Sequence, residues 1–131
     1  MGQWGLESCS GDSCWDALDF GGVGDIHEMT QKEVDNFNWD KAARYSKKDI
    51  LGCVIWFLTH GKKVKMTKLR EALVIAEQRL SREVIAEEGW FAIDERHEMV
   101  KKEIADIKRA IKNKGIIRVR RVPGLLEHMN S

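Results

Sequence analysis

The stretch Ser46-Lys47-Lys48-Asp49-Ile50-Leu51-Gly52-Cys53-Val54-Ile55-Trp56-Phe57-Leu58-Thr59-His60-Gly61 decides the fold. Ile50, Leu51, Cys53, Val54, Ile55, Phe57 and Leu58 leave almost no side of a helix for water. A helix that is apolar nearly all round belongs in the middle of its domain. Ser46-Lys-Lys-Asp49 has the form of a capping box at its start. Gly61 suits the C′ position after His60, and Cys53 reads as a small core residue.

The neighbours of this helix follow from the same rules. Upstream, Thr30-Gln-Lys-Glu33 reads as another capping box, opening a short helix to about Trp39. Before it, Asp12 is an N-cap for a helix through Trp15 and Leu18 that stops at Gly21-Gly22, followed by a glycine-containing loop to residue 29. Downstream, Thr67 caps a helix in which Leu69, Leu73, Ala76, Leu80 and Val84 recur at steps of three and four, ending at Gly89. Trp90, Phe91 and Ile93 form an apolar hinge. Asp94 caps a last helix with Ile93, Val100, Ile104, Ile107 and Ile111 on one stripe, ended by Gly115. Glu98, Lys102 and Glu103 read as its solvated outer face. Residues 116–122 are β-branched and partly alternating until Pro123-Gly124 breaks them. The expected fold is mainly α: a compact bundle of four to five helices, with an irregular N-terminal segment and room for one short C-terminal strand.

A chain of 131 residues fits a single helical domain, 1–131. It comprises an acidic, Trp- and Gly-containing segment (1–29), a helical body, and a basic and apolar tail (116–131). Hydrophobic residues at 43% and charged residues at 33% place it among charge-rich globular proteins rather than disordered ones. No apolar run approaches the roughly 20 residues a membrane span needs. The N-terminus lacks a basic segment followed by an apolar stretch, which favours a cytoplasmic protein. Three cysteines, Cys9, Cys14 and Cys53, argue against a disulfide framework.

Charge is unevenly spread. Residues 1–30 carry Glu7, Asp12, Asp16, Asp19, Asp25 and Glu28, and no Lys or Arg. All 22 Lys and Arg residues lie beyond them. An acidic head on a basic body pairs with itself inside the fold or provides two docking surfaces.

The opening Met1-Gly2-Gln3-Trp4-Gly5, followed by Asp12, Asp16 and Leu18, resembles a bacterial family catalogued as domain of unknown function forty-two fifty-nine. Its members begin Met-Gly-x-Trp-Gly, continue with spaced Asp residues and a small helix, and are of similar size and mostly helical. The resemblance is specific over residues 1–20. It implies no reaction and no catalytic residues, only that this segment is a unit of the fold with Trp4 and Trp15 packed. Cys9, Cys14 and the basic tail depart from the family pattern.

Four groupings bear on function. Asp12, Asp16 and Asp19 share a helical face that suits a hard cation in a metal-dependent hydrolase, or merely complements the helix dipole. Cys9, Cys14 and His27 are three soft ligands, one short of a structural zinc site. His60 at a helix C-terminus suits a partial positive charge, while His97 and His128 stand apart without a poised nucleophile. The basic clusters Lys62, Lys63, Lys65, Lys68, Arg70 and Lys112, Lys114, Arg118, Arg120, Arg121 suit phosphate contacts. The tail residues Val119, Val122, Leu125 and Leu126 pack on the core or on a partner.

The expected function is a small protein-interaction or regulatory module, of the inhibitor, immunity or phage-accessory kind, rather than an enzyme. It docks a protein partner or a second copy through Trp4, Trp15, Asp16 and Asp19, needs no cofactor or metal, and does not engage a membrane. Nucleic-acid binding through the basic clusters and hydrolysis through the N-terminal carboxylates are the alternatives.

Overall fold

The computed structural model describes residues 8–9, 12–90 and 92–117. Seven helices form among them: α1 (Asp12–Gly21), α2 (Gln31–Asp35), α3 (Trp39–Ala42), α4 (Lys48–Thr59), α5 (Met66–Gln78), α6 (Arg82–Glu87) and α7 (Ile93–Lys112). No helix among them is long and apolar enough to cross a membrane. The fold is mainly α, as the periodicity implies.

Helix α4 is the centre. Every residue from Asp49 to Leu58 is buried, and α1, α3, α5 and α7 all pack against it. Trp56 and Phe57 are among the largest fully buried side chains. The Trp56 indole Nε1 donates to the Ile26 carbonyl at 2.9 Å, so its one polar atom is satisfied by the loop after α1. Phe57 meets Phe37 and Trp39 edge-on, at 5.0 and 5.7 Å between ring centroids. Gly52 is where α1 and the segment before it come closest. A Cβ there would lie 2.9 Å from the Ser8 carbonyl oxygen and 3.0 Å from the Cys14 sulfur.

The expected four to five helices are present in outline, and helix ends explain the short extra ones among the seven, α2, α3 and α6 having 5, 4 and 6 residues. The Thr30–Glu33 capping box forms: Thr30 Oγ1 accepts from Glu33 N at 3.1 Å, and Glu33 Oε1 accepts from Thr30 N at 3.0 Å. The helix it opens stops at Asp35, however. Asn38 then caps α3 by accepting from Lys41 N, and its own N–H donates to the Gly21 carbonyl at 2.9 Å. The expected 67–89 helix also breaks, because Ser81 restarts the chain as the N-cap of α6. That break turns the expected stripe: Leu69, Ala72, Ile75 and Ala76 are buried, while Leu73, Leu80 and Val84 are partly exposed.

Three expected caps are not made. Ser46 and Asp49 form no box, since Lys47 is the N-cap of α4 and carries no side-chain cap bond. Asp49 instead accepts from Ser13 Oγ on α1 at 2.9 Å. An Asp carboxylate is one carbon shorter than the Glu that reaches back in a true box. Helix α5 starts one residue before Thr67, and α7 starts before Asp94, which pairs with Arg82 at 3.1 Å. Ile116 and Ile117 lie in neither helix nor strand, and the rest of the expected strand lies outside the described residues.

The larger correction concerns Glu103. It is fully buried, as is Arg96 within 3%. The two lie seven residues apart, on the face of α7 that also buries Met99, Val100, Asp106, Ile107 and Ala110. Arg96 Nη1 donates to Glu103 Oε1 at 3.2 Å, and the guanidinium sits 4.3 Å from the Trp90 ring centroid. Ser8 completes the group. Its N–H donates to Glu103 Oε2 at 2.8 Å, its Oγ donates to Glu103 Oε1 at 2.7 Å, and Arg96 Nη2 donates to that Oγ at 2.9 Å. A buried carboxylate is costly to desolvate, and this arrangement offsets the cost with a cation and two further donors. Ser8 is thereby clamped to α7.

Two outcomes test this core. Gly52→Ala gains roughly 1 kcal/mol of helix propensity, but overpacking against Ser8 and Cys14 costs on the order of 1–3 kcal/mol. Urea unfolding is expected to show net destabilisation. Arg96→Met leaves Glu103 without its cation and is expected to cost about 3–5 kcal/mol. Adding Glu103→Leu is expected to recover a large part of that loss in a double-mutant cycle.

Candidate functional site

Helix α1 has two unlike sides. Cys14, Ala17 and Leu18 face the core, while Asp16, Asp19 and Phe20 are exposed. Asp16 and Phe20 stand one turn apart, so they share a surface. The Phe20 ring meets that of Tyr45, just after α3, in a T-shaped pair with centroids 6.0 Å apart. Tyr45 is 75% exposed and Phe20 37%, while the other Phe and Trp side chains among the described residues are buried or partly buried. The Arg44 guanidinium lies 5.5 Å from the Tyr45 centroid. The result is an exposed aromatic pair with Asp16 one turn before Phe20 and the Arg44 guanidinium beside Tyr45.

Sequence reasoning placed Trp15 on the docking surface beside Asp16 and Asp19. Trp15 is only partly exposed and packs on the core. Its ring meets Trp56 at 5.9 Å and His27 at 5.7 Å. Trp4 lies outside the described residues. Phe20 and Tyr45 were missed because neither belongs to a periodic pattern. The available signal was Tyr45 itself, one tyrosine set among the charged residues of 40–49.

The remaining candidates disperse. Among the described residues, no three His, Cys, Asp or Glu side chains come together as a metal would need. The Asp12 side chain lies outside the described part. Cys9, Cys14 and Cys53 are buried free thiols, whereas His27 is exposed. The hydrogen bond with Cys53, then burial, push the Cys14 thiol well above its ordinary range, the opposite of an activated nucleophile. His97 Nδ1 lies 3.9 Å from Glu98 Oε1 on α7, and His128 is outside the described residues.

Lys62 is partly exposed, and Lys63, Lys65 and Arg70 are exposed. Lys68 is already engaged, with its ammonium 3.4 Å from Glu71 and over the Trp39 ring. Arg118, Arg120, Arg121, Val119, Val122, Leu125 and Leu126 lie outside the described residues.

His60 is the C-cap of α4, stacked on Trp56 with ring centroids 4.5 Å apart. Its Nδ1 donates to the Trp56 carbonyl at 2.8 Å. The expected positive charge is opposed by burial, which lowers the imidazole pKa despite that bond; His27 and Lys62 lower it further. With the folded value below 6.5, the unfolded chain takes up the proton first as pH falls. Stability is therefore expected to decline as pH drops from 6.5 toward the folded-state value, then level off. His60→Gln is expected to flatten that part of the profile of melting temperature against pH.

With this geometry in place, comparison with protein-family models, with curated proteins and with solved structures finds no match.

Proposed function

We propose that the protein is a non-catalytic binding module whose protein partner docks on the face formed by Asp16, Asp19, Phe20 and Tyr45. The exposed Phe20–Tyr45 pair carries this reading. Aromatic and Arg side chains hold a disproportionate share of binding energy at protein interfaces, and Arg44 stands beside Tyr45. The carboxylates make the α1 side of the face negative, so they favour a partner that brings a basic patch to that side and speed its approach at low salt. The acidic first thirty residues fit a regulatory or accessory protein of the inhibitor or immunity kind, in the cytoplasm. The opening motif supports a place in the family named above, whose members carry no assigned chemistry.

Affinity co-purification from native-host lysate, with nuclease present, tests the proposal. A stoichiometric protein partner is expected with the wild type and lost with Tyr45→Ala, while the melting temperature of the variant stays near that of the wild type. Removing a hot-spot tyrosine is expected to weaken the purified complex by about thirtyfold, equivalent to roughly 2 kcal/mol. Asp16→Lys with Asp19→Lys is expected to slow association at low salt far more than at high salt. A partner retained equally by all three proteins would show that the face is not the docking site. A concentration-dependent dimer abolished by Tyr45→Ala would assign the face to a second copy.

A further inference from the structure

Two basic segments roughly fifty residues apart in sequence meet in the fold. The connection from α4 to α5 carries Lys62, Lys63 and Lys65. The end of α7 carries Lys112 and, just beyond it, Lys114. Val64 N donates to the Gly115 carbonyl at 2.8 Å and joins them. The approach is close enough that a Cβ on Gly115 would lie 2.6 Å from the Val64 carbonyl oxygen and 3.2 Å from Lys63 Cγ. Gly115 also has φ +106, so glycine is required there twice over.

The seam is held rigidly. Gln31 grips the Lys63 backbone from both sides, donating from Nε2 to the carbonyl at 2.8 Å and accepting at Oε1 from the N–H at 2.8 Å. Lys62 N donates to the Phe57 carbonyl at 2.9 Å, tying the same connection to α4. None of the five lysines is in an ion pair among the described residues, although Lys68, Arg79, Arg82, Arg96, Lys101 and Arg109 are. Asp35, which accepts from Gln31 at 2.9 Å, is the acid tied to this region through that grip.

The helix dipoles explain only part of the pattern. Lys112 and Lys114 suit the negative end of α7. Lys65 does the opposite: it is the N-cap of α5, at the positive end, with no side-chain cap bond and no acid in the first turn. Placing cations there costs stability unless an anion arrives to share the field.

We propose that the seam of Lys62, Lys63, Lys65, Lys112 and Lys114 is a binding site for the phosphate backbone of duplex nucleic acid. The choice of duplex follows from what the seam contains. Single strands are gripped by aromatic stacking between basic residues, and among the described residues the exposed large aromatics, Phe20 and Tyr45, belong to the α1–α3 side. Lysines alone contact phosphates without reading bases, so binding is independent of sequence. The site is separate from the aromatic face, and either can fail without the other.

The test is a fluorescence-anisotropy titration of the full chain with a short mixed-sequence DNA duplex, its RNA counterpart and the single strands. With five phosphates neutralised, affinity is expected to fall about 500-fold between roughly 50 and 200 mM salt. Lys63→Ala with Lys114→Ala leaves three contacts and is expected to lose only about 40-fold over the same range, from a weaker starting point. Lys101→Ala with Lys102→Ala, on the outer side of α7, removes the same charge and is expected to behave as the wild type. Circular dichroism melts confirm that both variants fold. No duplex binding at low salt overturns the proposal. So does equal loss in both double variants, tighter binding of single strands than of duplex, or binding of anionic phosphatidylserine vesicles in place of duplex.

Discussion

Between Ile50 and Leu58, helix α4 offers water no surface it can solvate favourably. Each of those side chains is stabilised by roughly 1.5–3 kcal/mol only if something covers it, and the cover must come from every direction. Helices α1, α3, α5 and α7 supply it. Their own amphipathic patterns are partial because each needs only one covered side. Gly52 sets how near the N-terminal segment comes, and Trp56 fixes the loop after α1 through its single polar atom. Displacing α4 would uncover the sides of α1, α3, α5 and α7 that face it, although α1 with α3 and α5 with α7 also pack on each other.

Covering α4 has an electrostatic consequence. Helix α7 reaches the core with Arg96, Glu103 and Asp106 on its buried face as well as with apolar residues. Such groups contribute little net stability, but they are strict about geometry. Glu103 tolerates burial only while Arg96 and Ser8 hold their positions. The apolar contacts of α7 are compatible with small shifts along the helix, whereas this hydrogen-bonded group is not. A single register of α7, and a fixed place for Ser8, follow from it. The two surfaces with functional promise both inherit their shape from this core: the Phe20–Tyr45 edge from the packing of α1 on α3, and the lysine seam from the end of α7.

What could be read in the sequence was local. The apolar run of α4, the Thr30–Glu33 box, and the glycine stops at Gly22, Gly61, Gly89 and Gly115 depend on near neighbours, and all are present. The helix breaks at Asn36–Asn38 and Arg79–Ser81 depend on partners elsewhere, such as the Gly21 carbonyl that takes the Asn38 N–H. Glu103 looked like a surface residue because its partners are Arg96, one face-repeat away, and Ser8, at the far end of the chain. Of the surfaces, Asp16 and Asp19 were legible as exposed acids, but the Phe20–Tyr45 pair and the meeting of Lys63 with Gly115 were not. Both are long-range contacts between segments whose own patterns say only that they are polar.

The bonds between Ser8 and Glu103 span 95 residues of the chain. During synthesis the N-terminal segment leaves the ribosome first, and its partner carboxylate is made among the last parts of the described body. Until then α1 and α4 can associate, but Ser8 lacks its carboxylate partner. Contacts of such high sequence separation form late, after the loop between them has been closed. The latch between Ser8 and Glu103 can therefore close only on a chain whose α7 has already been made.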